Sequence, residues 1–155
     1  MKLNDLIAPD RVVPALRAST KKQVLQELAR RAATALGRHE RDIADAILQR
    51  ERLGSTALGN GIAVPHARLA GLGRVVGVFA RLERAVEFDA PDGQPVDLVF
   101  LLLAPEGAGA DHLTALARVS RLLRDALVRE KLRGTEGREA LYALLTDRAA
   151  SNEAA

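Results

Sequence analysis

Hydrophobic positions in the first third of the chain recur with the period of an α-helix. Thr20 is followed three residues later by Gln23, which is the spacing of a capping box, so a helix is predicted to begin there. Gly37 is placed to end this helix, whose apolar positions are Val24, Leu25, Leu28, Ala32 and Leu36. A second helix is predicted over 40–53, with an apolar face formed by Ile43, Ala46, Ile47 and Leu53.

Two later segments have the pattern of buried β-strands. Residues 75–82 and 96–103 are rich in Val, Leu and Phe, and the second is almost continuously apolar, as in a strand covered on both faces. Residues 91–95, Pro-Asp-Gly-Gln-Pro, provide the turn between them. Shorter strands are predicted around Val12 and Val13 and over 62–64.

The last third of the chain is predicted to be helical after a loop over 105–110. A long helix is expected to begin near Asp111, whose side chain is a suitable N-cap, and a last helix spans about 138–146. The inward face of the long helix is predicted to contain Leu113, Leu116, Val119, Ser120, Leu123 and Leu127. Helices and strands in this order predict a single α/β domain, a mixed β-sheet with helices packed on both faces.

Composition fits this architecture and excludes several kinds of site. A chain of 155 residues is the size of one domain, and with 3% aromatic residues its core is built from aliphatic side chains. The absence of cysteine excludes disulfides, thiolate metal sites and cysteine nucleophiles. The first residues lack a basic patch followed by an apolar run, and no segment approaches ~18 apolar residues, so a cytoplasmic protein not embedded in a membrane is expected.

Charge gives little support for nucleic-acid binding. The pI near 9.8 is high, but the net charge is only +3. Arginines alternate with Asp and Glu along the predicted helices, which is typical of a solvated helix face. Because the chain has neither a basic block nor stacking aromatic residues, no nucleic-acid partner is predicted.

Residues 54–66, Gly-Ser-Thr-Ala-Leu-Gly-Asn-Gly-Ile-Ala-Val-Pro-His, are the most informative segment of the sequence. Its three glycines, Gly54, Gly59 and Gly61, allow the backbone to adopt positive φ and to lie close to a partner or an anion. Pro65 ends the predicted strand stiffly, so His66 is predicted to be presented outward. His66 is then either an ordinary surface histidine or a functional one.

A phosphate-binding P-loop does not explain this segment. Gly54 and Gly59 have the glycine spacing of that motif, but Asn60 and Gly61 stand where it needs Lys and then Ser or Thr. Nucleotide binding through this loop is therefore not predicted.

The other two histidines differ in their surroundings. His39 lies among charged residues at a helix entry, and we predict no functional role for it. His112 is either a polar first-turn residue facing water or a second imidazole that meets His66 at one end of the sheet, where a helix N-terminus favours phosphate. Two histidines without a third ligand predict no metal site.

Several of these segments together resemble a known family. They are Arg-Glu-Arg-Leu-Gly-Ser-Thr at 50–56, Gly-Asn-Gly-Ile-Ala-Val-Pro-His at 59–66, Phe-Asp-Ala at 88–90, Gln-Pro-Val-Asp-Leu at 94–98 and His-Leu at 112–113. This set resembles enzyme IIA of the bacterial phosphoenolpyruvate-dependent phosphotransferase system, in its fructose/mannitol and nitrogen-regulatory branch. The resemblance covers roughly 3–147 and implies a type-2 IIA domain over 1–148, followed by a disordered tail over 149–155. Ala57 and Ala67 depart from it, at positions where glycine is frequent.

The resemblance implies a role for each site residue. His66 is the histidine that is phosphorylated, His112 assists it, and Arg50 stabilises the phosphate. Ser55 and Thr56 either donate hydroxyls to the phosphate or serve only as turn residues. The implied donor is a histidine phosphocarrier protein of the HPr or NPr type, and no cofactor is required.

Three functions remain open on the sequence alone. The first is a nitrogen-regulatory IIA protein that binds regulatory targets according to the phosphorylation of His66. The second is a sugar-specific IIA protein of the fructose/mannitol type, which passes phosphate to a IIB domain. The third is a binding module that keeps the fold and carries no phosphate.

Overall fold

A computed structural model describes residues 1–154, and the side chains of residues 1–146. Six strands form one mixed sheet: β1 (Val12–Leu16), β2 (Ala57–Gly59), β3 (Ile62–Ala63), β4 (His66–Leu69), β5 (Val76–Val86) and β6 (Val96–Pro105). The helices are α1 (Leu3–Leu6), α2 (Lys21–Leu36), α3 (Glu40–Arg52), α4 (Gly109–Arg124), α5 (Ala126–Gly134) and α6 (Arg138–Ala154), with a 3₁₀ turn at Pro9–Arg11.

Strand β6 is the centre of the sheet because it pairs along both of its edges. On one edge it is antiparallel to β5, with Phe79 opposite Phe100, and β1 continues the sheet in parallel with β5. On the other edge its first half is parallel to β3 and its second half is parallel to β4. A strand paired on both edges and covered on both faces must be apolar throughout, as the sequence of β6 is.

Helices cover both faces of the sheet, as predicted. One buried core lies between the sheet and helices α2 and α3, and it includes Leu28, Ile47 and Phe88. The other lies between the sheet and helices α1, α4, α5 and α6. Two aromatic residues of the central strands, Phe79 and Phe100, are fully buried in this second core.

Local signals correctly predicted the first two long helices. The Thr20 side chain accepts a hydrogen bond from the Gln23 backbone N–H at 3.1 Å, and Gly37 ends α2 with a left-handed φ of 65°. The Gln23 side chain in turn accepts from the N–H of Ser19 at 2.8 Å. Helix α3 ends at Arg52, and the next residue, Leu53, is 85% exposed, so its predicted place on the apolar face was wrong.

The long C-terminal helix was predicted with the wrong start and a partly wrong inward face. Helix α4 begins at Gly109, and its N-cap is Ala108, so Asp111 is not the N-cap. The face that packs on the sheet lies about one residue from the predicted one, and of the predicted residues Val119 and Leu123 are buried: the buried residues are His112, Ala115, Val119, Leu122 and Leu123. Leu113 and Leu127, both predicted to be inward, are 68% and 46% exposed.

Four elements were not predicted: helices α1 and α5 and strands β2 and β4. Helix α5 is a separate element because the Asp125 side chain accepts hydrogen bonds from the backbone N–H groups of Leu127 and Val128 and so caps a new helix. The predicted disordered tail, 149–155, falls on residues whose side chains lie outside the described part. Over the described residues, no helix combines the length and hydrophobicity that a membrane crossing requires.

Candidate functional site

The site forms where β3 gives way to β4 along the edge of β6. Pro65 lies between the two short strands, and its carbonyl accepts a hydrogen bond from the N–H of Leu102 at 2.9 Å. His66 is the first residue of β4 and pairs with Leu102 in register. Its side chain is half-buried, so the histidine that was predicted to be presented outward is only partly so.

One nitrogen of the His66 ring is held by the backbone. Nδ1 of His66 lies 2.9 Å from the carbonyl oxygen of Val64. A carbonyl oxygen can only accept, so Nδ1 carries the proton and donates it, which leaves the lone pair on Nε2. The ring thus presents its nucleophilic nitrogen on the side away from the strand.

His112 meets His66 at an edge-to-face contact. The two ring centroids are 5.4 Å apart, with an angle of 72° between the ring planes. His112 is only 6% exposed, and its Nε2 is buried without a hydrogen-bond partner among the described residues. The interpretation of His112 as a residue facing water was wrong, because His112 lies on the same face of α4 as Ala115 and Val119, which packs against the sheet.

Burial and charge keep both imidazoles neutral. Burial lowers the pKa of His66, the hydrogen bond to Val64 raises it, the charge of Arg50 lowers it and that of Glu51 raises it, with a net decrease. The pKa of His112 is also lowered, first by burial and then by His66 and Arg68. With both pKa values below the ordinary value of about 6.5, both rings are neutral at pH 7, and a neutral imidazole can act as a nucleophile.

Arg50 lies in the last turn of α3, and its charge acts on His66. Its Nη1 donates to the carbonyl of Gly54 at 3.0 Å, which ties the side chain to the end of its own helix. A guanidinium has five N–H groups, and this bond uses one of them. The arrangement holds a cation near His66 and leaves donors for an anion.

Ser55 and Thr56 are both bonded within the protein. The Ser55 hydroxyl donates to the carbonyl of Phe88 at 2.6 Å and accepts from the N–H of Ala57 at 3.2 Å. The Thr56 hydroxyl donates to the Glu51 carboxylate at 2.5 Å. These contacts favour the interpretation of both residues as turn residues over that of phosphate contacts.

The hairpin turn before β3 is fixed from outside by α5. Arg133 of that helix donates to the Asn60 carbonyl at 2.9 Å and to both carboxylate oxygens of Asp97. Gly61 has a φ of +78°, and a Cβ there would collide with the Arg133 guanidinium, so only glycine fits. The turn that leads to His66 is therefore pinned to two other parts of the fold.

Comparison with known proteins identifies the family. A family model described as "Phosphoenolpyruvate-dependent sugar phosphotransferase system, EIIA 2" matches residues 5–148. The chain belongs to this family. The resemblance predicted from the sequence is thereby confirmed, and so is the type-2 IIA fold.

Individual EIIA 2 relatives cover nearly the whole chain. The chain is 55% identical over 145 residues to the nitrogen regulatory protein of Bradyrhizobium diazoefficiens, covering 94% of this chain and 95% of that one. It is 34% identical over 146 residues to the fructose-specific EIIABC component of Bacillus subtilis, covering 94% of this chain and 23% of that one. The crystal structure of nitrogen regulatory protein IIA-Ntr from Neisseria meningitidis matches with a TM-score of 0.88 and 34% identity, covering 93% and 99% of the two chains.

Sequence reasoning missed one buried group at the site of this EIIA 2 domain. Glu51 is 8% exposed, bonds to Thr56 and forms an ion pair with Lys21 at 3.0 Å. The signal was present, since Ile43, Ile47 and Glu51 follow one another at intervals of four along the inward face of α3. Within the described residues, no three His, Asp or Glu side chains come together as metal ligands.

Proposed function

We propose that this chain is a nitrogen-regulatory IIA protein that accepts a phosphoryl group on Nε2 of His66. The donor is a phosphohistidine on a histidine phosphocarrier protein of the HPr or NPr type, and the output is phosphorylation-dependent binding of regulatory targets in the cytoplasm. The observation that carries this proposal is the hydrogen bond from Nδ1 of His66 to the Val64 carbonyl, which leaves Nε2 as the nucleophile.

The transfer is a displacement at phosphorus. The Nε2 lone pair of His66 forms a new N–P bond while the N–P bond on the donor breaks, and its electron pair returns to the donor imidazole. The His66 ring then carries a positive charge beside a negatively charged phosphoryl group. Its Nδ1–H still donates a hydrogen bond to the Val64 carbonyl. The transition state is loose, so the protein contributes mainly position and charge.

Arg50 and His112 supply contacts for the phosphoryl group in this scheme. Arg50 is a fixed cation near His66, and guanidinium N–H groups suit phosphoryl oxygens. His112 has a buried Nε2 without a partner among the described residues, next to the reacting ring. A preorganised donor of this kind stabilises charge that develops in the transition state.

A regulatory output follows from the charge change. The phosphoryl group carries about −1.5 to −2 charges at pH 7, and the positive charge of the His66 ring offsets one of them, so the site becomes more negative. Arg52 at the end of α3 and Arg68, two residues after His66 in β4, are exposed, so the added charge alters an otherwise basic surface. A partner that binds this surface through acidic groups therefore distinguishes the two states.

A sugar-specific role is the second candidate, because the chain also matches a fructose-specific component. The higher identity to a nitrogen regulatory protein, 55% against 34%, favours the regulator. The two are separated by offering the phosphorylated protein a fructose-type IIB domain: rapid loss of phosphate to that domain supports the sugar role.

The proposal is tested by intact mass after incubation with phosphoenolpyruvate, enzyme I and the histidine phosphocarrier protein. We expect the wild type to gain one acid-labile phosphate and His66→Ala to gain none. The matched control is His39→Ala, which removes an exposed histidine and is expected to label like the wild type. Labelling of His66→Ala would overturn the proposal, and no labelling of the wild type by a competent donor would favour the binding module without phosphate.

A further inference from the structure

A continuous series of hydrogen bonds connects the buried carboxylate of Glu51 to the ring of His66. We infer that Glu51 is a positioning residue, which fixes the orientation and tautomer of His66 through Thr56 and Val64. This inference rests on the proposed function, since it assigns Glu51 a part in preparing His66 to accept phosphate.

The first link joins helix α3 to the loop that follows it. The Glu51 carboxylate accepts from the Thr56 backbone N–H at 2.7 Å and from the Thr56 hydroxyl at 2.5 Å. Lys21 at the start of α2 lies 3.0 Å from the same carboxylate. Both carboxylate oxygens are thus engaged, as a buried charge requires.

The second link joins that loop to the histidine. The N–H of Val64 donates to the carbonyl of Thr56 at 3.0 Å, and the carbonyl of Val64 accepts from Nδ1 of His66 at 2.9 Å. Thr56 is therefore hydrogen-bonded to both Glu51 and Val64. Val64 is in turn hydrogen-bonded to both Thr56 and the ring of His66. A displacement of Thr56 moves the carbonyl that sets which ring nitrogen carries the proton.

Charge supports the same assignment. Glu51 raises the pKa of His66, whereas its neighbour Arg50 lowers it. Because the ring of His66 becomes cationic when Nε2 bonds to phosphorus, a buried carboxylate stabilises the product ring while Arg50 stabilises the phosphoryl group. The charges that act on the pKa of His66 are those of Arg50 and Glu51, and the ring of His112 lies against the His66 ring. Lys21 pairs with Glu51 and so moderates its charge.

Glu51→Gln tests the inference, with Glu83→Gln as its matched control. Glu83 in β5 forms an exposed ion pair with Arg17, the residue after β1, so the same chemical change there leaves His66 untouched. We expect Glu51→Gln to slow phosphate acceptance about ten-fold, which is the lower end of the effect found when a group that orients a functional residue is removed. We also expect it to change the ¹⁵N shifts of the His66 ring and to lower the midpoint of its titration.

A second pair of variants tests the Thr56 link without removing a buried charge. Thr56→Ser keeps the hydroxyl and is expected to behave like the wild type, whereas Thr56→Val removes it and is expected to slow transfer several-fold. Both variants keep the backbone N–H that donates to Glu51.

The ¹⁵N shifts of the unphosphorylated wild type keep the inference testable even if Glu51→Gln does not fold. A proton on Nε2 rather than Nδ1 of His66 would overturn the inference without reference to phosphate transfer. Unchanged His66 shifts and titration in Glu51→Gln would also overturn it, whatever happens to the melting temperature. Failure of the wild type to accept phosphate, with Nδ1 protonated as expected, would instead count against the proposed function.

Discussion

The two segments that meet at the site hold their histidines in different ways. His66 begins a short strand, is half-buried, and has one ring nitrogen bonded to a carbonyl 2.9 Å away. His112 lies within a 16-residue helix, is 6% exposed, and has a buried Nε2 without a partner among the described residues. A hydrogen bond thus orients the His66 ring, whereas burial alone orients the His112 ring.

This difference indicates a division of labour. The bonded ring has a defined tautomer and a defined nucleophilic nitrogen, which is what attack on phosphorus requires. The His112 ring has a buried Nε2 without a hydrogen-bond partner among the described residues, and an unpaired buried polar atom calls for an explanation. This difference supports the proposal that His66 attacks phosphorus and His112 contacts the phosphoryl group.

The largest expected effect is the loss of phosphate acceptance in His66→Ala, measured by intact mass as described above. If the division of labour is right, no variant of His112 matches this complete loss. A His66→Ala protein that still gains phosphate on His112 would reverse the two roles.

His112→Ala is expected to slow phosphate acceptance by about 100-fold, the size of effect found when one preorganised donor is removed. The protein should still fold, because the cavity created is partly offset by removal of an unpaired buried nitrogen. Rapid-quench labelling measures the rate and thermal unfolding measures the fold. His112→Gln keeps an N–H donor and should recover part of the rate, and a wild-type rate in His112→Ala would contradict the role.

Arg50→Ala is expected to slow phosphate acceptance by about ten-fold while changing the melting temperature little. The reason is that its one bond, to the Gly54 carbonyl, is exposed and contributes little to stability. The same labelling and unfolding measurements apply. A large fall in melting temperature with an unchanged rate would mean that Arg50 stabilises the loop after α3 and does not stabilise the phosphate.

Acid should destabilise the protein through both histidines. Their pKa values are lowered in the folded state, so below about pH 6.5 the unfolded chain binds more protons than the folded one. The stability that depends on these two neutral rings is fully present above about pH 6.5, and it is lost as the pH falls toward the pKa values of the folded state. Denaturant unfolding between pH 7 and 5 measures how the free energy of unfolding depends on pH. This dependence should be flatter in the His66→Ala, His112→Ala double variant than in the wild type. Equal slopes in the two proteins would contradict the lowered pKa values.

Ser55→Ala is expected to give the smallest effect on transfer. Loss of the bond to the Phe88 carbonyl should lower the free energy of unfolding by about 1 kcal/mol, with the labelling rate within about two-fold of wild type. A rate reduced by more than about ten-fold at unchanged stability would restore Ser55 as a phosphate contact.

The sequence predicted the parts of the fold that depend on strong local patterns. Helix α2 has both caps, and β6 has a continuous apolar run, so both were recognised. Strand β4 was missed because it is four residues long and is held mainly by its pairing with β6, which no local pattern records. The start of α4 was misplaced because its N-cap, Ala108, has no capping side chain to mark it. Its inward face was misplaced because the stripe that begins at Leu113 has the same helical spacing as the buried stripe that begins at His112.

The site was predicted unevenly for the same reason. His66 and Arg50 lie in short motifs that can be recognised along the chain, whereas the burial of His112 depends on which face of α4 packs against the sheet. Glu51 was missed because a buried glutamate is expected only when its partners are known, and those partners, Lys21 and Thr56, come from two other segments.

The most direct test of the account is to locate the phosphorus in the phosphorylated protein by ¹H–¹⁵N and ³¹P NMR of labelled histidines. The account predicts one phosphorylated ring, that of His66, with phosphorus on Nε2 and the proton retained on Nδ1. Phosphorus on Nδ1 of His66, or on the ring of His112, would contradict it.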